Sequence, residues 1–505
     1  MGVFMKKYIV ALDQGTTSSR AIIFDKDAKI VGSAQYSFKQ YFPKPGWVEH
    51  DANEILDSQF RALRDAVSNA GITPKEIAAI GIANQRETTV AWNKETGEAI
   101  GKAIVWQCRR TADICEKLVS DGYEDKIKQI TGLPIDAYFS GTKCKWILEN
   151  NDKAKKLAEE GKLAFGTIDS WLIWNLSGGK LHITDVTNAS RTMLFDINKL
   201  CYDEWLCDTL GVPIDTLPKV MPSGEVYGKI DTERFVLGEF CGIPICSALG
   251  DQQAALFGQQ CFEIGDAKNT YGTGCFTLMN IGNESNVRAP GLITTVGWQF
   301  DGKTSWALEG SVFNAGSSIQ WLRDQLGIIK NAADCDGLAE SVSDNAGVYL
   351  VSAFSGMGAP HWDMYARGGI LGITRGTTAA HIARATLEGI AFQVYDLVKT
   401  MENASGRKIP TLKADGGASA SRFLMQFQSD LLDTEVLVPS VAETTAKGAA
   451  FMAGLACGFW QNIDDLPKDI SDARIFSSKM DSDERKTLIK DWNKAVERVL
   501  GWEEK

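Results

Sequence analysis

From Tyr8 to Phe24 the chain reads YIVALDQGTTSSRAIIF, an apolar run closed by Asp13, a small polar turn, then a second apolar run. Two short apolar runs around a tight glycine-containing connection predict a β-hairpin. Ile30 to Phe38 predicts a third antiparallel strand, ended by Pro43 and Pro45. The period then changes. Ile55, Phe60, Leu63 and Val67 share one helical face behind Asp51 or Asn53 as N-cap, and the helix ends near Gly71. Ile77 to Ala83 reads as a buried strand running into N84QRET, and Ala103 to Trp106 as another short strand. Lys143 to Asn150 begins a helix, and Phe165 to Trp174 is a strand feeding a Trp-rich helix.

A second cycle follows. Ile243 to Leu249 is a strand ending in G250DQQAALFG, whose Ala254 to Gly258 suits a crossing between lobes. Ala267 to Ile281 repeats the opening pattern, with a Gly-Thr-Gly turn between strand-like runs, followed by strands at Leu292 to Gln299 and Ser305 to Glu309. Leu387, Ile390, Val394 and Leu397 mark a long amphipathic helix, and Leu412 to Asp415 is a strand leading through ADGGA into the helix-like Ser421 to Leu432. Gly448, Ala449, Ala450, Gly454 and Gly458 suit close helix packing. Two hairpins in two halves predict an α/β fold built by duplication, dividing at residues 256 and 257, with a ligand held between the lobes.

The polar turns carry the candidate chemistry. Gly15 lets the backbone approach a ligand, and Thr16, Thr17 and Ser18 add hydroxyls to N–H groups that converge on an anion. The turn lacks GxxxxGK[ST] spacing and leads into a strand, so it is no P-loop; it is a phosphate cradle or an ordinary polar hairpin. Asp13 at the end of a buried strand needs a partner for its charge, and Mg²⁺ is the expected one. Arg86 and Glu87, beyond a strand end, offer donors and acceptors for neighbouring hydroxyls, or form a surface ion pair. Asp251 opens a helix after a strand, where it is either a base aimed at a cleft or a helix cap. Trp106 is a pocket wall or core filler.

Composition bounds these options. The chain has 505 residues, 44% hydrophobic and 23% charged, which suits two closely joined domains. A formal net charge of −11 without a basic cluster argues against nucleic-acid binding. Eleven cysteines without CxxC spacing and four scattered histidines give neither a disulfide framework nor a metal pattern, so a reducing, cytoplasmic setting is expected. The longest uncharged apolar stretch, Gly448 to Trp460, is too short to span a bilayer.

Taken together, LDQGTTSSRA, NQRETT, VWQCRR, YFSGTK, GDQQAALFGQ, NTYGTGC, SIQWLRD, DGGA and FLMQFQSD resemble the FGGY carbohydrate kinase family, within the actin and hexokinase superfamily. KPGWVEHD and TNASRTMLF are closest to its members acting on glycerol rather than on xylulose or gluconate. The resemblance implies two actin-like (ribonuclease H-like) domains around a cleft and ATP-dependent phosphorylation of glycerol, commonly in a homodimer or homotetramer. It implies that Arg86, Glu87, Tyr138, Asp251 and Gln252 hold glycerol, that Trp106 and Phe276 pack its carbons, and that Asp251 is the base. ATP phosphates would meet Thr16, Thr17, Ser18, Arg20 and Thr273; Gly316, Gln320, Gly417 and Ser421 would border the nucleoside, and Asp13 would organise Mg²⁺. Ser421 stands where similar enzymes often have Asn. A kinase for another small polyol or ketose, and an actin- or chaperone-like ATPase, are the alternatives. Some relatives bind fructose 1,6-bisphosphate on a glycine-rich, Arg-containing loop. The corresponding stretch here, YGKIDTERFVLGEFCG, has no glycine cluster, and Lys229 and Arg234 are its cations.

Overall fold

The computed structural model describes residues 6–232, 237–440, 443–468 and 473–504; Arg234 lies outside them. We number only the thirteen strands of the central sheet and the helices that position the site. They are β1 (Tyr8–Gln14), β2 (Ser18–Phe24), β3 (Ile30–Ser37), α1 (Ala52–Asn69), β4 (Ile77–Asn84), α2 (Ser140–Asn150), β5 (Gly224–Lys229), β6 (Pro244–Gly250) and α3 (Asp251–Gly258). The second half contributes β7 (Ala267–Tyr271), β8 (Cys275–Gly282), β9 (Ile293–Phe300), β10 (Lys303–Val312), α4 (Gly316–Asp324), α5 (Ala379–Ser405), β11 (Thr411–Asp415), α6 (Arg422–Leu432), β12 (Glu435–Val438), α7 (Thr444–Ala456) and β13 (Arg474–Phe476).

The sheet order is β13-β12-β11-β7-β8-β10-β9-β5-β6-β4-β1-β2-β3. Duplication is visible in it. The run β3-β2-β1-β4-β6 has two antiparallel pairs followed by two parallel ones, and β10-β8-β7-β11-β12 repeats that order and sense. The halves meet through β5 and β9 at one register pair, Gly224 with Phe300. In both halves the first strand is buried along almost its whole length, apolar in β1 but carrying the polar run Lys268-Asn269-Thr270 in β7. Helix α1 starts where expected, its N-cap Asp51 accepting from the amides of Asn53 and Glu54.

Helices α3 and α7 pack against each other between the halves, and the expected division at residues 256 and 257 falls inside α3. Their backbones touch. A Cβ on Gly448 would lie 1.8 Å from the Ala254 carbonyl oxygen, and one on Gly258 would lie 2.0 Å from that of Thr444. Alanine normally stabilises a helix interior by about 1 kcal/mol over glycine. Here overpacking, about 1–3 kcal/mol or more, outweighs that gain. Gly448→Ala is therefore expected to lower the thermal midpoint, and a raised midpoint would contradict this packing.

Candidate active site

The first hairpin turn is held from behind. Gly15 donates to Ser18 O at 2.9 Å, while the carbonyls of Gly15 and Thr16 accept from Gln85 Nε2 at 3.1 Å and Gln40 Nε2 at 3.1 Å. With the carbonyls held by side-chain amides, the Thr17 side chain is left exposed at the tip of the turn. Buried His50 braces the amides, its Nε2 2.6 Å from Gln40 Oε1, and burial pushes its pKa down to about 4, so it stays neutral. Sequence pattern alone leaves His50 as packing. Trp106 reaches the same turn, donating from Nε1 to Thr16 Oγ1 at 3.0 Å, and its ring meets Tyr138 edge-on at 5.5 Å.

Arg86 and Glu87 are not a surface ion pair; both are buried. Arg86 makes a two-pronged contact with Glu309 of β10, Nη1 to Oε2 at 2.5 Å and Nη2 to Oε1 at 3.0 Å. Arg191 donates from Nε to Glu87 at 2.6 Å and from Nη2 to Glu309 at 3.1 Å. Two arginines and two carboxylates alternate in a closed lattice that spans the halves. A buried charge is tolerated only when paired in this way. Burial alone would raise the Glu309 carboxyl, yet Arg191 and Arg86 outweigh it and hold it down to about 2. Arg191 Nη1 has no hydrogen-bond partner among the described residues, but its guanidinium lies 5.5 Å from the Tyr138 ring and 5.3 Å from that of Phe139.

Glu87 has φ of +59°, a strained value for a side-chain-bearing residue. Three donors fix it there: Thr89 Oγ1, Ser140 Oγ and Lys143 Nζ all reach its carbonyl, at 3.1, 3.1 and 3.0 Å. Lys143, its pKa lowered to about 8 by burial, also donates to the Tyr138 carbonyl at 2.5 Å. It therefore places the loop carrying the phenol.

Asp251 is not a cap. Gly250 occupies the N-cap position, and Asp251 Oδ1 accepts from the amide of Gln252 at 2.7 Å and faces Arg86 Nε at 3.3 Å. A third of its side chain remains exposed. Burial raises its carboxyl to about 6, with the Arg86 charge pulling the other way. Gln252 accepts from Lys268 Nζ, which also donates to Thr270 Oγ1 at 2.9 Å and to the Phe276 carbonyl at 3.4 Å. The strand register aligns Leu249 and Asp13 with the same residue, Ala83, so Asp251 and Asp13 come off one end of the sheet.

The second hairpin docks onto α4. Thr273 O accepts from Ala315 N at 2.9 Å and Gly272 O from Gly316 N at 2.9 Å, and a Cβ on Gly316 would lie 2.6 Å from Gly272 O. Gln320 is exposed on α4. Gly417 faces open space, whereas Ser421 is engaged: it caps α6 by accepting from Leu424 N at 3.0 Å and donates to Asp336 at 2.5 Å.

Asp13 has a protein cation beside it. The hairpin register sets Asp13 directly across from Arg20, which donates to Asp13 Oδ2 at 2.8 Å and contacts Glu443 of the second half at 2.5 Å. Arg20 is therefore shared between two carboxylates, while its side chain stays partly exposed and its remaining N–H donors are uncommitted by these two contacts. Among the described residues no group of three or more His, Cys, Asp or Glu forms a metal cage. One carboxylate oxygen on Asp13 suits Mg²⁺, a hard cation that keeps its waters and takes phosphate oxygens beside one or two carboxylates. A cavity of about 690 Å³ adjoins the Ser421 cap, lined by residues such as Arg384, Arg422, Phe423 and Arg474. Its size does not make it the reaction site, because none of the buried charge lattice borders it.

Arg191, Glu309, Lys143 and Lys268 escaped the sequence reading as site residues. Only Glu309 has a local signal, a charge after the apolar run of β10, a costly position unless something uses it; Arg191 lies in a turn and Lys143 and Lys268 among polar neighbours. No helix of the described residues is long and apolar enough to cross a membrane.

The profile of the FGGY carbohydrate kinase N-terminal domain matches residues 8–258 and that of the C-terminal domain residues 267–457. A protein of Symbiobacterium thermophilum called glycerol kinase is 55% identical over 98% of this chain and 99% of its own. A Thermoanaerobacter glycerol kinase is 56% identical over 99% of this chain and 100% of its own. The crystal structure of Plasmodium falciparum glycerol kinase with ADP superposes with a TM-score of 0.92 at 36% identity, covering 98% of each chain. A Lactobacillus acidophilus gluconate kinase, at 22% identity and a TM-score of 0.86 over 97% of each chain, shares the fold. With two halves of one topology, a glycine-turn hairpin in each and similarity over nearly its whole length, this chain belongs to the FGGY family of carbohydrate kinases.

Proposed function

We propose that the protein is an ATP-dependent glycerol kinase forming sn-glycerol 3-phosphate. The observation that carries this reading is Asp251, an accessible carboxylate beside a buried lattice of fixed charge. A neutral triol has only hydroxyls to recognise, and rigid donors and acceptors reject other alcohols because a missing partner leaves buried polar groups unpaired. Arg86, Glu87 and the Gln252 amide supply such groups, with Trp106 and Tyr138 forming an aromatic corner. Asp251 takes the proton as the alcohol oxygen attacks the γ-phosphorus, and ADP leaves with the bridging oxygen. The amides of the two hairpin turns, with the hydroxyls of Thr16, Thr17, Ser18 and Thr273, cradle the phosphates. Mg²⁺, held by Asp13 and the phosphates, would screen the phosphate charge. Gly316, Gln320, Gly417 and the cap at Ser421 line the nucleoside side.

We further infer that the lobes, taken as 1–256 and 257–505, close on substrate, and that the chain works in the cytoplasm as a homodimer or homotetramer. Closure keeps water from competing for the phosphoryl group. Scattering measurements of mass and radius, with and without ligands, test both assembly and closure.

An ADP-release assay across glycerol, dihydroxyacetone, erythritol, xylulose and gluconate tests the activity; glycerol is expected to give the highest kcat/KM. Phe276, half-buried on the second hairpin, is taken as a wall of the site. Phe276→Ala should raise the KM for glycerol and improve four- and five-carbon polyols relative to it. An unchanged substrate ranking would remove Phe276 from the wall.

A further inference from the structure

Lys268 lies in the middle of β7 with its side chain fully enclosed. A buried ammonium is costly unless its three protons find acceptors. Here they find three: Gln252 Oε1, Thr270 Oγ1 and the Phe276 carbonyl. That complete set decides its role. A lysine that grips a phosphate keeps an N–H for it, and this one has none to spare.

Its acceptors come from both halves of the chain. Gln252 is in the first turn of α3, in the first half, whereas Thr270 and Phe276 are cross-strand partners in the second hairpin. The bond to Gln252 carries the chemical consequence. A glutamine amide presents an acceptor on one side and a donor on the other, and its partners decide which faces a ligand. With Oε1 held by the ammonium, Nε2 is turned away from Lys268 and stays free of protein acceptors among the described residues. Next to it, Asp251 offers an acceptor oxygen. A donor beside an acceptor matches a hydroxyl group, which accepts one hydrogen bond and donates another.

We propose that Lys268 is a positioning residue for the alcohol substrate: it fixes the Gln252 amide with Nε2 toward the polyol and ties the Phe276 backbone to it. This rests on the reading of Gln252 and Phe276 as substrate contacts. Lys268 thereby couples the second hairpin to alcohol recognition without touching either reactant.

Two variants test it, Lys268→Met and Gln252→Glu. Glutamate has the same shape as glutamine and pairs with Lys268, but it turns an oxygen toward the substrate where an N–H had been. Gln252→Glu is expected to raise the KM for glycerol at least about tenfold, with the ATP KM within about twofold and no loss of thermal midpoint. Lys268→Met should raise the glycerol KM by a similar factor and narrow the preference for glycerol over erythritol. A purely structural lysine predicts otherwise: a lower midpoint and lower kcat, with glycerol KM and substrate ranking unchanged, and that result overturns the proposal. Should Lys268→Met fail to fold, normal glycerol KM in Gln252→Glu overturns it alone. Wild-type turnover is measured first. No turnover with any polyol would sink the reading of the site itself, whereas normal wild-type turnover with unaffected variants sinks only the role of Lys268.

Discussion

Asp251→Asn is expected to give a folded protein that binds ATP but transfers its phosphoryl group about 10²- to 10⁴-fold more slowly, roughly 3–5.5 kcal/mol of barrier. Asparagine keeps the shape and still accepts from the Gln252 amide, so the start of α3 is undisturbed. What disappears is the proton acceptor, together with the charge facing Arg86 at 3.3 Å. If Asp251 served only the helix, the exchange would be nearly neutral, since both side chains accept the same hydrogen bond. The two roles thus differ by orders of magnitude in kcat. A variant with normal turnover would sink the base assignment. The pH profile gives a second check. The Asp251 carboxyl is raised to about 6, so wild-type kcat/KM should fall tenfold per pH unit below that value as the base is protonated, and Asp251→Asn should lose this limb.

The fold was legible in the sequence because its main signals are local. The hairpin Tyr8–Phe24, the helix behind Asp51 and the repeat at Ala267 were placed by apolar period and turn chemistry, and the structure keeps them to within a residue or two. Site residues that follow a motif were equally legible. What was not legible is pairing at a distance. Glu309 is 223 residues from Arg86 and Arg191 is 118 from Glu309, so nothing in either neighbourhood announces the lattice. Asp13 shows the same limit at short range: its need for a counter-charge was plain, but only the strand register shows that Arg20 lies opposite it and supplies one.

Glu309→Ala is expected to have the largest effect on stability. The carboxylate accepts from both Arg86 and Arg191, and all three side chains are buried. Removing it leaves Arg86 without its two-pronged partner and sets two guanidinium groups near each other with only Glu87 between them. Losing one member of a buried ion pair costs about 3–5 kcal/mol, because the remaining charge stays desolvated. A surface pair of the same geometry would cost about 0–1 kcal/mol, so the denaturation midpoint separates the cases. Glycerol KM should rise as well, since the lattice fixes the direction of the remaining Arg86 donors. Glu309→Gln should fall between, keeping an acceptor while losing the charge. Acid unfolding adds a signed test. A carboxyl held down to about 2 stabilises the fold fully above the ordinary glutamate range and loses that contribution as pH falls from about 4.5 toward 2. Wild-type stability should therefore drop through that window more steeply than that of Glu309→Gln, which has no proton to gain there. Equal slopes, or a Glu309→Ala protein as stable as wild type, would show that the lattice does not hold the two halves of the site together.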